Sequence, residues 1–473
     1  MSKSSKLILL TVGGLAALVV LAALTAVLLW RANAKTRVVA AASEALEMDV
    51  DVRGRVAIGF LPGLHVALAD VHARKRGADV ASAEEVDLGI EILPLLHKEV
   101  RIKDIALKRL RIALEVDRDG KLNVERKSAA KGARPALTVA KASVSDGTLL
   151  YANKQSGNSF EAADCNVDVS RMLQSPEESA DFLKNLSFAA QLACGQVRTK
   201  DFTASDVKFT VDGKNGVFDF DPLTMRLFGG HGSGTIRADV SGSVPAYHVR
   251  YSLAQLRIEE YFKTQSPKHV GEGSMDFSTT LSLQGDTTDA LKRSAAGEAS
   301  LHGEDLRLEI GDLDKKYSRY EDSQNFNLVD VGALFFVGPL GLGVTKGYDF
   351  ARIFEGTGGS TTIRTLVSKW QVEHGVAHAK DVAMATPKNR VALKGGLDFV
   401  TGRFDDVTVA LIDDKGCARV QQKIRGPFQQ PETEKPNVFG AITGPTRKLL
   451  KQAKELFGGH CDVFYAGSVA PPK

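Results

Sequence analysis

Residues 86–92 read Val-Asp-Leu-Gly-Ile-Glu-Ile, and residues 110–116 read Leu-Arg-Ile-Ala-Leu-Glu-Val. In both stretches apolar residues occupy every second position, and mostly polar or small residues occupy the positions between. Successive side chains of a β-strand point to opposite faces. Each stretch therefore predicts a strand with one apolar face and one polar face.

The same alternation recurs along the chain as far as Val407, Val409 and Leu411. Such strands either close around a sandwich or barrel core, or form a sheet that stays open as a trough with an apolar inside. Alternation alone does not distinguish these two forms. The candidate lining residues are Val86, Leu88, Ile90, Ile92, Leu110, Ile112, Leu114, Val116, Phe188, Leu192, Val207, Phe209, Leu223, Met225, Leu227, Val249, Tyr251 and Leu253.

Composition supports a large β-rich body. Of the 473 residues 43% are hydrophobic, and 44 are glycines, which fits many short elements joined by turns. The net charge of +4 is small and spread along the chain, so it does not favour nucleic acid as a partner. It is compatible with a weak attraction to anionic lipid surfaces.

Residues 7–30 contain no charged side chain and are long enough to cross a bilayer as a helix. Trp30 stands where an interfacial aromatic residue is expected. The alternative is a cleaved signal peptide, because Ala32-Asn33-Ala34 resembles a cleavage site. The apolar segment is longer than a signal peptide requires, so we expect an uncleaved anchor. Basic residues flank it on both sides and do not set its orientation.

Helices are expected to be few. Residues 289–296 predict a short helix, and residues 328–344 predict a buried apolar helix with a loop. Residues 445–457 form a basic amphipathic pattern, which either packs on its own domain or lies on an anionic membrane.

The motifs that would indicate phosphate binding, metal binding or catalysis are incomplete. Gly338 and Gly343 have phosphate-loop spacing, but the lysine that would follow is missing. His374 and His378 lack the glutamate of a zinc-protease helix. Residues 117–123, Asp-Arg-Asp-Gly-Lys-Leu-Asn, begin like a calcium loop, yet Ser128 stands where the acidic ligand belongs. We therefore expect no catalytic residue, no metal site and no cofactor, and we predict that the protein is not an enzyme.

Four cysteines, Cys165, Cys194, Cys417 and Cys461, permit two disulfides in three connectivities if the body is exported. In a reducing compartment they would instead be buried thiols.

Several short motifs occur in an order that resembles AsmA-type proteins. They are the turn at 117–123, the run Asp146-Gly-Thr-Leu-Leu-Tyr151, and the later run Leu227-Phe-Gly-Gly-His-Gly-Ser-Gly234. The ending is similar as well, with Cys417, residues 421–427, and residues 461–467. Each motif is short, and their order after an apolar N-terminal segment carries the likeness.

The resemblance implies an inner-membrane anchor, a body in the periplasm, and a chorein-like module that feeds a β-groove for phospholipid. The implied fold is mainly β, with a long curved antiparallel sheet forming an open groove after the anchor. We also predict the disulfides Cys417–Cys461 and Cys165–Cys194. The expected domains are a cytoplasmic tail (1–6), a transmembrane helix (7–30), a chorein-like module (38–130), groove repeats (131–310), a C-terminal AsmA-like region (311–426), and a linker, helix and tail (427–473).

The predicted function is to hold phospholipid acyl chains and support lipid transport to the outer membrane and its integrity. The expected partners are phospholipids, the inner membrane, and outer-membrane or periplasmic lipid-handling proteins. One alternative is an assembly factor for outer-membrane proteins that binds through sheet edges, with no lipid conduit. Another is an anchored hydrolase whose site the sequence does not reveal.

Overall fold

The computed structural model describes residues 36, 39–40, 42–43, 48–59, 63–75, 77–91, 102–124, 138–174, 184, 186–264, 271–309, 311–315, 317, 335, 359–434, 437–438 and 461–472. The predicted anchor (7–30), Ile92, the helix at 445–457 and all of 328–344 except Phe335 lie outside these ranges. Within them, no helix has both the length and the apolar character needed to cross a membrane.

The protein is mainly β, as predicted. The described ranges contain 23 strands. They also contain two helices for which both ends are described, α1 (Ile258–Lys263) and α2 (Thr288–Ser294). Helix α2 confirms the helix predicted at 289–296, and the side chain of Thr287 caps its N-terminus. The strands are β1 (Asp49–Val52), β2 (Val56–Gly59), β3 (His65–Lys75), β4 (Ala78–Ile90), β5 (Ile102–Lys108), β6 (Arg111–Val116), β7 (Thr138–Asn153), β8 (Ser159–Gln174), β9 (Leu186–Thr199), β10 (Thr203–Lys214), β11 (Val217–Leu227), β12 (Gly230–Asp239), β13 (Ala246–Arg257), β14 (Gly271–Glu272), β15 (Ser274–Gln284), β16 (Ala296–Leu308), β17 (Thr361–Glu373), β18 (Val376–Ala385), β19 (Arg390–Asp398), β20 (Arg403–Ile412), β21 (Ala418–Pro427), β22 (Glu432–Thr433) and β23 (Asn437–Val438).

The chain divides into two compact units. The N-terminal unit comprises Met1–Glu178 and Ser187–Lys200, and the C-terminal unit comprises Ser179–Leu186 and Asp201–Lys473. Strands β1 to β8 and nearly all of β9 belong to the first unit, and β10 to β23 belong to the second.

The sheet of the N-terminal unit is mixed. Strands β1 and β2 both pair antiparallel with β3, which pairs with β4. Strand β4 pairs antiparallel with β5 and β6, and both of these run parallel to β7. Strand β8 then pairs antiparallel with β7. The predicted antiparallel sheet is therefore wrong at β7, where two short strands share one long neighbour.

The Asp146-Gly147 pair does not make a turn between strands, because it lies inside β7. Asp146 takes the left-handed conformation, with φ of 54°, and the pairing of β7 with β8 shifts register around Gly147. Strand β7 pairs with β5 up to Ser145 and with β6 from Thr148 onward. The residues form a β-bulge where one neighbour replaces the other.

The C-terminal unit is an antiparallel meander through its long strands. Strands β10 to β13 pair in sequence order, β13 then pairs with β15, and β15 to β21 continue the series. Tight turns with two left-handed residues join β10 to β11 at Asn215-Gly216 and β11 to β12 at Phe228-Gly229. Such turns match the natural twist of paired strands.

Parts of strands β17 to β20 are buried on both faces. One face contributes to a large apolar core, which includes Leu366, Trp370 and Val409. The other face packs Ala383 and Ala410 against a second cluster. Residues 461–472, which were predicted to belong to a linker, helix and tail, supply Tyr465 and Val469 to this second cluster.

Candidate functional site

Apolar side chains of the C-terminal unit line up across neighbouring strands. Val211 of β10 stands opposite Phe220, and Phe220 stands opposite Ile236. Ile236 stands opposite Val249, which in turn is opposite Leu281 of β15. Side chains directly opposite each other in a sheet lie on the same face, in contact distance. The row is therefore one apolar surface across five strands.

Burial changes along this surface. Leu253 and Leu256 of β13 are fully buried, each with 0% exposure, in the large core. Val249, closer to the start of the same strand, is half-buried. We call the half-buried part the apolar strip, and its members are Phe209, Phe220, Leu223, Met225, Ile236, Val249, Tyr251, Leu281 and Leu283.

Helix α1 closes the surface at the buried end. Its residues Ile258, Tyr261 and Phe262 are buried, a spacing that places them on one side of the helix. The Tyr261 ring meets Phe228 edge-on, with ring centroids 5.4 Å apart. The apolar surface is thus buried near Leu256 and half-exposed toward Val249.

The opposite face of the same strands is polar. His248, Arg250 and Ser252 alternate with the strip residues of β13 and are exposed. Ser252 Oγ lies 3.4 Å from Ser233 Oγ on the neighbouring strand. One side of these strands therefore faces water while the other carries the apolar strip.

The N-terminal unit carries a comparable apolar face. Val66 stands opposite Leu88, Leu88 opposite Ile105, Ile105 opposite Ala142, and Ala142 opposite Val169. All except the buried Val66 are half-buried. The face therefore runs through five strands of the mixed sheet.

A cleft of about 640 Å³ lies in the same unit. Leu114 lines it together with Tyr151 and Phe160, whose rings stack with centroids 5.2 Å apart. Arg198 and Glu161 also line it, with a separation of 3.8 Å between Nη1 and the carboxylate. The cleft combines an aromatic pair with charges of both signs.

The structure distributes the predicted lining residues over the two units. Val86, Leu88, Ile90, Leu110, Ile112, Leu114, Val116, Phe188 and Leu192 belong to the N-terminal unit, and Val207, Phe209, Leu223, Met225, Leu227, Val249, Tyr251 and Leu253 to the C-terminal unit. Phe209, Leu223, Met225, Val249 and Tyr251 fall on the apolar strip, whereas Val207 and Leu253 are buried.

Phe220, Ile236, Leu281 and Leu283 belong to the strip but were not predicted. Phe220 and Leu281 each stand in a short alternating run, Phe218-Asp-Phe220 and Leu281-Ser-Leu283, so a signal was present. Ile236 stands alone between Thr235 and Arg237, and only its pairing with Val249 identifies it.

No metal centre emerges from the described ranges, which contain no group of three or more His, Cys, Asp or Glu side chains arranged around a common point. Residues 117–123 form a turn, in which Asp117 Oδ1 accepts hydrogen bonds from the backbone N–H groups of Asp119 and Lys121, both at 2.9 Å.

Both predicted disulfides are present. Cys165 pairs with Cys194 in the N-terminal unit, with Cα atoms 4.0 Å apart. Cys417 pairs with Cys461 in the C-terminal unit, with Cα atoms 6.0 Å apart. The second bond joins the start of residues 461–469, which we call the terminal clamp, to the loop before β21.

Hydrogen bonds hold the terminal clamp on the second face of β18. The Tyr465 hydroxyl donates to Asp381 Oδ1 at 2.5 Å, and Ser468 Oγ donates to Asp381 Oδ2 at 2.7 Å. Burial raises the pKa of the Asp381 carboxyl, but the hydrogen bonds from Tyr465 and Ser468 outweigh burial and leave that pKa below its usual value.

Arg390 fixes the end of the terminal clamp. Its buried guanidinium donates to the carbonyl oxygens of Val469, at 2.8 Å, and of Asp413, at 2.7 Å. The guanidinium carbon also lies 5.6 Å from the centre of the Tyr465 ring, within cation–π range. These contacts explain why residues 461–469 are anchored rather than loose.

Comparison with known proteins agrees with the resemblance found in the sequence. The model of the AsmA family matches residues 1–192 and, in a second match, residues 152–306. The matches together span well over half of the 473 residues. No curated protein matches the chain significantly. On the strength of the family match, the chain belongs to the AsmA family.

Proposed function

We propose that this protein is anchored in the inner membrane, extends its body into the periplasm, and binds phospholipid acyl chains on its apolar sheet faces to support lipid transport to the outer membrane. Family membership supports a lipid-transport or envelope-assembly role. The observation that favours lipid is the apolar strip, a half-buried surface that crosses adjacent strands.

The physical reason is the cost of exposing hydrocarbon to water. Each methylene group of an acyl chain placed in water costs about 0.8 kcal/mol. A chain lying on the strip, against Phe220, Val249 and Leu281, avoids much of that cost. Binding also stabilises the strip, because its half-exposed side chains lose contact with water. No chemical step is required for binding or release.

The strip also suits movement along the sheet. Rows of similar apolar side chains offer neighbouring positions of similar energy, so a chain shifts between them without a deep minimum. The headgroup remains in water beyond the edge of the strip. Transport then depends on a supply of lipid at one end and its removal at the other, and on partners that handle lipid in the envelope.

Site-specific photo-crosslinking tests the proposal. A benzophenone amino acid is placed at Val249, on the strip, and in a matched variant at His248, the preceding residue on the polar face. The full chain is irradiated in its native membrane, and adducts are identified by mass spectrometry. We expect phospholipid adducts at 249 and few or none at 248.

Protein adducts at both positions, with no lipid at 249, would overturn the proposal. That result would favour the assembly-factor alternative, in which the sheet binds other envelope proteins. Equal lipid labelling at 248 and 249 would indicate nonspecific contact with the membrane and would also count against a lipid-binding strip.

A further inference from the structure

The hydroxyl of Tyr251 is the exception in the apolar strip. Its Oη atom is buried and makes no hydrogen bond within the part of the chain that the structure describes. Desolvation raises the pKa of Tyr251 to about 12. A buried hydroxyl without a partner is costly, and buried tyrosines usually find one. The Tyr465 hydroxyl illustrates the ordinary case, with one acceptor and one donor around it.

Two glycines make room for the Tyr251 ring. A Cβ atom on Gly232 would lie 1.8 Å from Tyr251 Oη, and a Cβ on Gly234 would lie 2.9 Å from Cδ2 of the ring. Both glycines are in β12, the neighbouring strand. The ring therefore lies across the backbone of β12, and its hydroxyl is held over Gly232, between half-buried and fully buried parts of the apolar surface.

Among the described residues, those beside and directly opposite Tyr251 supply no charged partner to this hydroxyl. Arg250 and Ser252, the neighbours of Tyr251 in sequence, point to the opposite face. Thr279, directly opposite Tyr251, uses its own hydroxyl to donate to the Glu298 carbonyl at 2.9 Å. An anionic oxygen here would be desolvated without a cation to balance it. The site suits a neutral hydrogen-bond acceptor attached to hydrocarbon.

We propose that Tyr251 donates a hydrogen bond to the ester carbonyl of a bound acyl lipid, and so makes the strip selective for acyl esters over ether-linked chains. The inference rests on the proposed lipid-binding function and refines it. An ester carbonyl is the neutral acceptor that lies between the acyl chain and the headgroup. An ether-linked lipid has the same shape but lacks that oxygen.

The test is a competition between two lipids with the same chains and headgroup. Full-length protein is equilibrated with vesicles that contain equal amounts of dipalmitoyl phosphatidylcholine and its dihexadecyl ether analogue. Bound lipid is then extracted and quantified by mass spectrometry. We expect the wild type to favour the ester about fivefold, the effect of one hydrogen bond to a group otherwise unsatisfied.

Three variants refine the test. Tyr251→Phe keeps the ring and should bring the ester-to-ether ratio close to one. Gly232→Ala should do the same, because the new methyl group occupies the position of Oη. Ser252→Ala removes a hydroxyl from the opposite face of the same strand and should keep the wild-type ratio.

The outcomes separate the two proposals. A wild type that binds both lipids in equal amounts, with Tyr251→Phe unchanged, would overturn the role of Tyr251 and leave lipid binding intact. A wild type that binds neither lipid would overturn the proposed function and the inference with it. A fall in the ratio for Ser252→Ala as large as that for Tyr251→Phe would also contradict the assignment.

Discussion

Strands β13 and β20 lie in the same unit and carry similar apolar inner faces, yet their outer faces differ. In β13 the outer residues His248, Arg250 and Ser252 are exposed. In β20 the outer residues Thr408, Ala410 and Ile412 are buried. The terminal clamp causes the difference, because it covers the outer face of β18 to β20 with Tyr465 and Val469.

The comparison teaches that one unit combines a closed region and an accessible region. Around β20 both faces are packed, so apolar burial is used for stability. Around Val249 and Tyr251 of β13 the inner face is half-buried and the outer face is exposed to water, which leaves apolar surface available for a ligand. Four predictions test this division, in order of decreasing effect.

The largest effect is expected for a charge on the covered outer face. Ala410→Asp buries a carboxylate among the apolar side chains of the second cluster and should lower the free energy of unfolding by about 4 kcal/mol or more. Ala254→Asp, on the exposed outer face of β13, should change it by less than about 0.5 kcal/mol. Denaturant titration of both variants provides the measurement. Similar losses would show that the two outer faces do not differ.

Loss of the clamp disulfide should come next. The double variant Cys417→Ser/Cys461→Ser should destabilise the C-terminal unit by about 2–4 kcal/mol, because the bond closes a long loop. Amide hydrogen exchange in β18 to β20 should rise, while exchange in β12 and β13 should stay near that of the wild type. Equal acceleration throughout the unit would contradict a clamp that acts locally.

Removing methyl groups from the inner faces should again distinguish the closed region from the accessible region. Val409→Ala leaves a cavity in a fully buried site and should cost about 2 kcal/mol. Val249→Ala removes the same atoms from the half-buried strip and should cost less than about 1 kcal/mol. Thermal unfolding of the two variants provides the measurement. A larger loss of stability for Val249→Ala than for Val409→Ala would contradict the prediction.

The smallest effect concerns Asp381 and depends on pH. Because the folded-state pKa of Asp381 is lowered, its ionised form stabilises the fold above the unfolded pKa of about 4. The gain of the wild type over Asp381→Asn should be about 1 kcal/mol at pH 7, since solvent screens this partly exposed carboxylate. It should decline as the pH falls below about 4 and be lost once the pH is below the folded-state pKa. A gain that is constant down to pH 2 would contradict this.

Much of the fold follows from local sequence. Alternation identifies parts of β4, β6, β9, β10, β11, β13 and β20, and the α2 helix is visible in residues 289–296. The apolar strip was predicted in part, because Leu223, Met225 and Val249 stand in alternating runs. Ile236 was missed because a single apolar residue between polar ones gives no pattern, and its place depends on strand pairing.

The features that sequence did not reveal depend on distant residues or on backbone geometry. Val407, Val409 and Leu411 alternate as predicted, but burial of the intervening residues requires the terminal clamp. The β-bulge at Asp146-Gly147 could not be read from sequence, since the same dipeptide serves a turn or a bulge, and only the neighbouring strands decide. An open groove along the whole sheet stays a prediction.

The terminal clamp also sets an order of events during synthesis. Residues 461–469 follow all the strands they cover, so the outer face of β20 stays bare until those residues have left the ribosome and, for an exported body, crossed the membrane. Until residues 461–469 pack there, Ala410 and Ile412 remain exposed to water and to other chains. This region is therefore completed late in folding. A chain truncated before residues 461–469 lacks the cover over the outer face of β20.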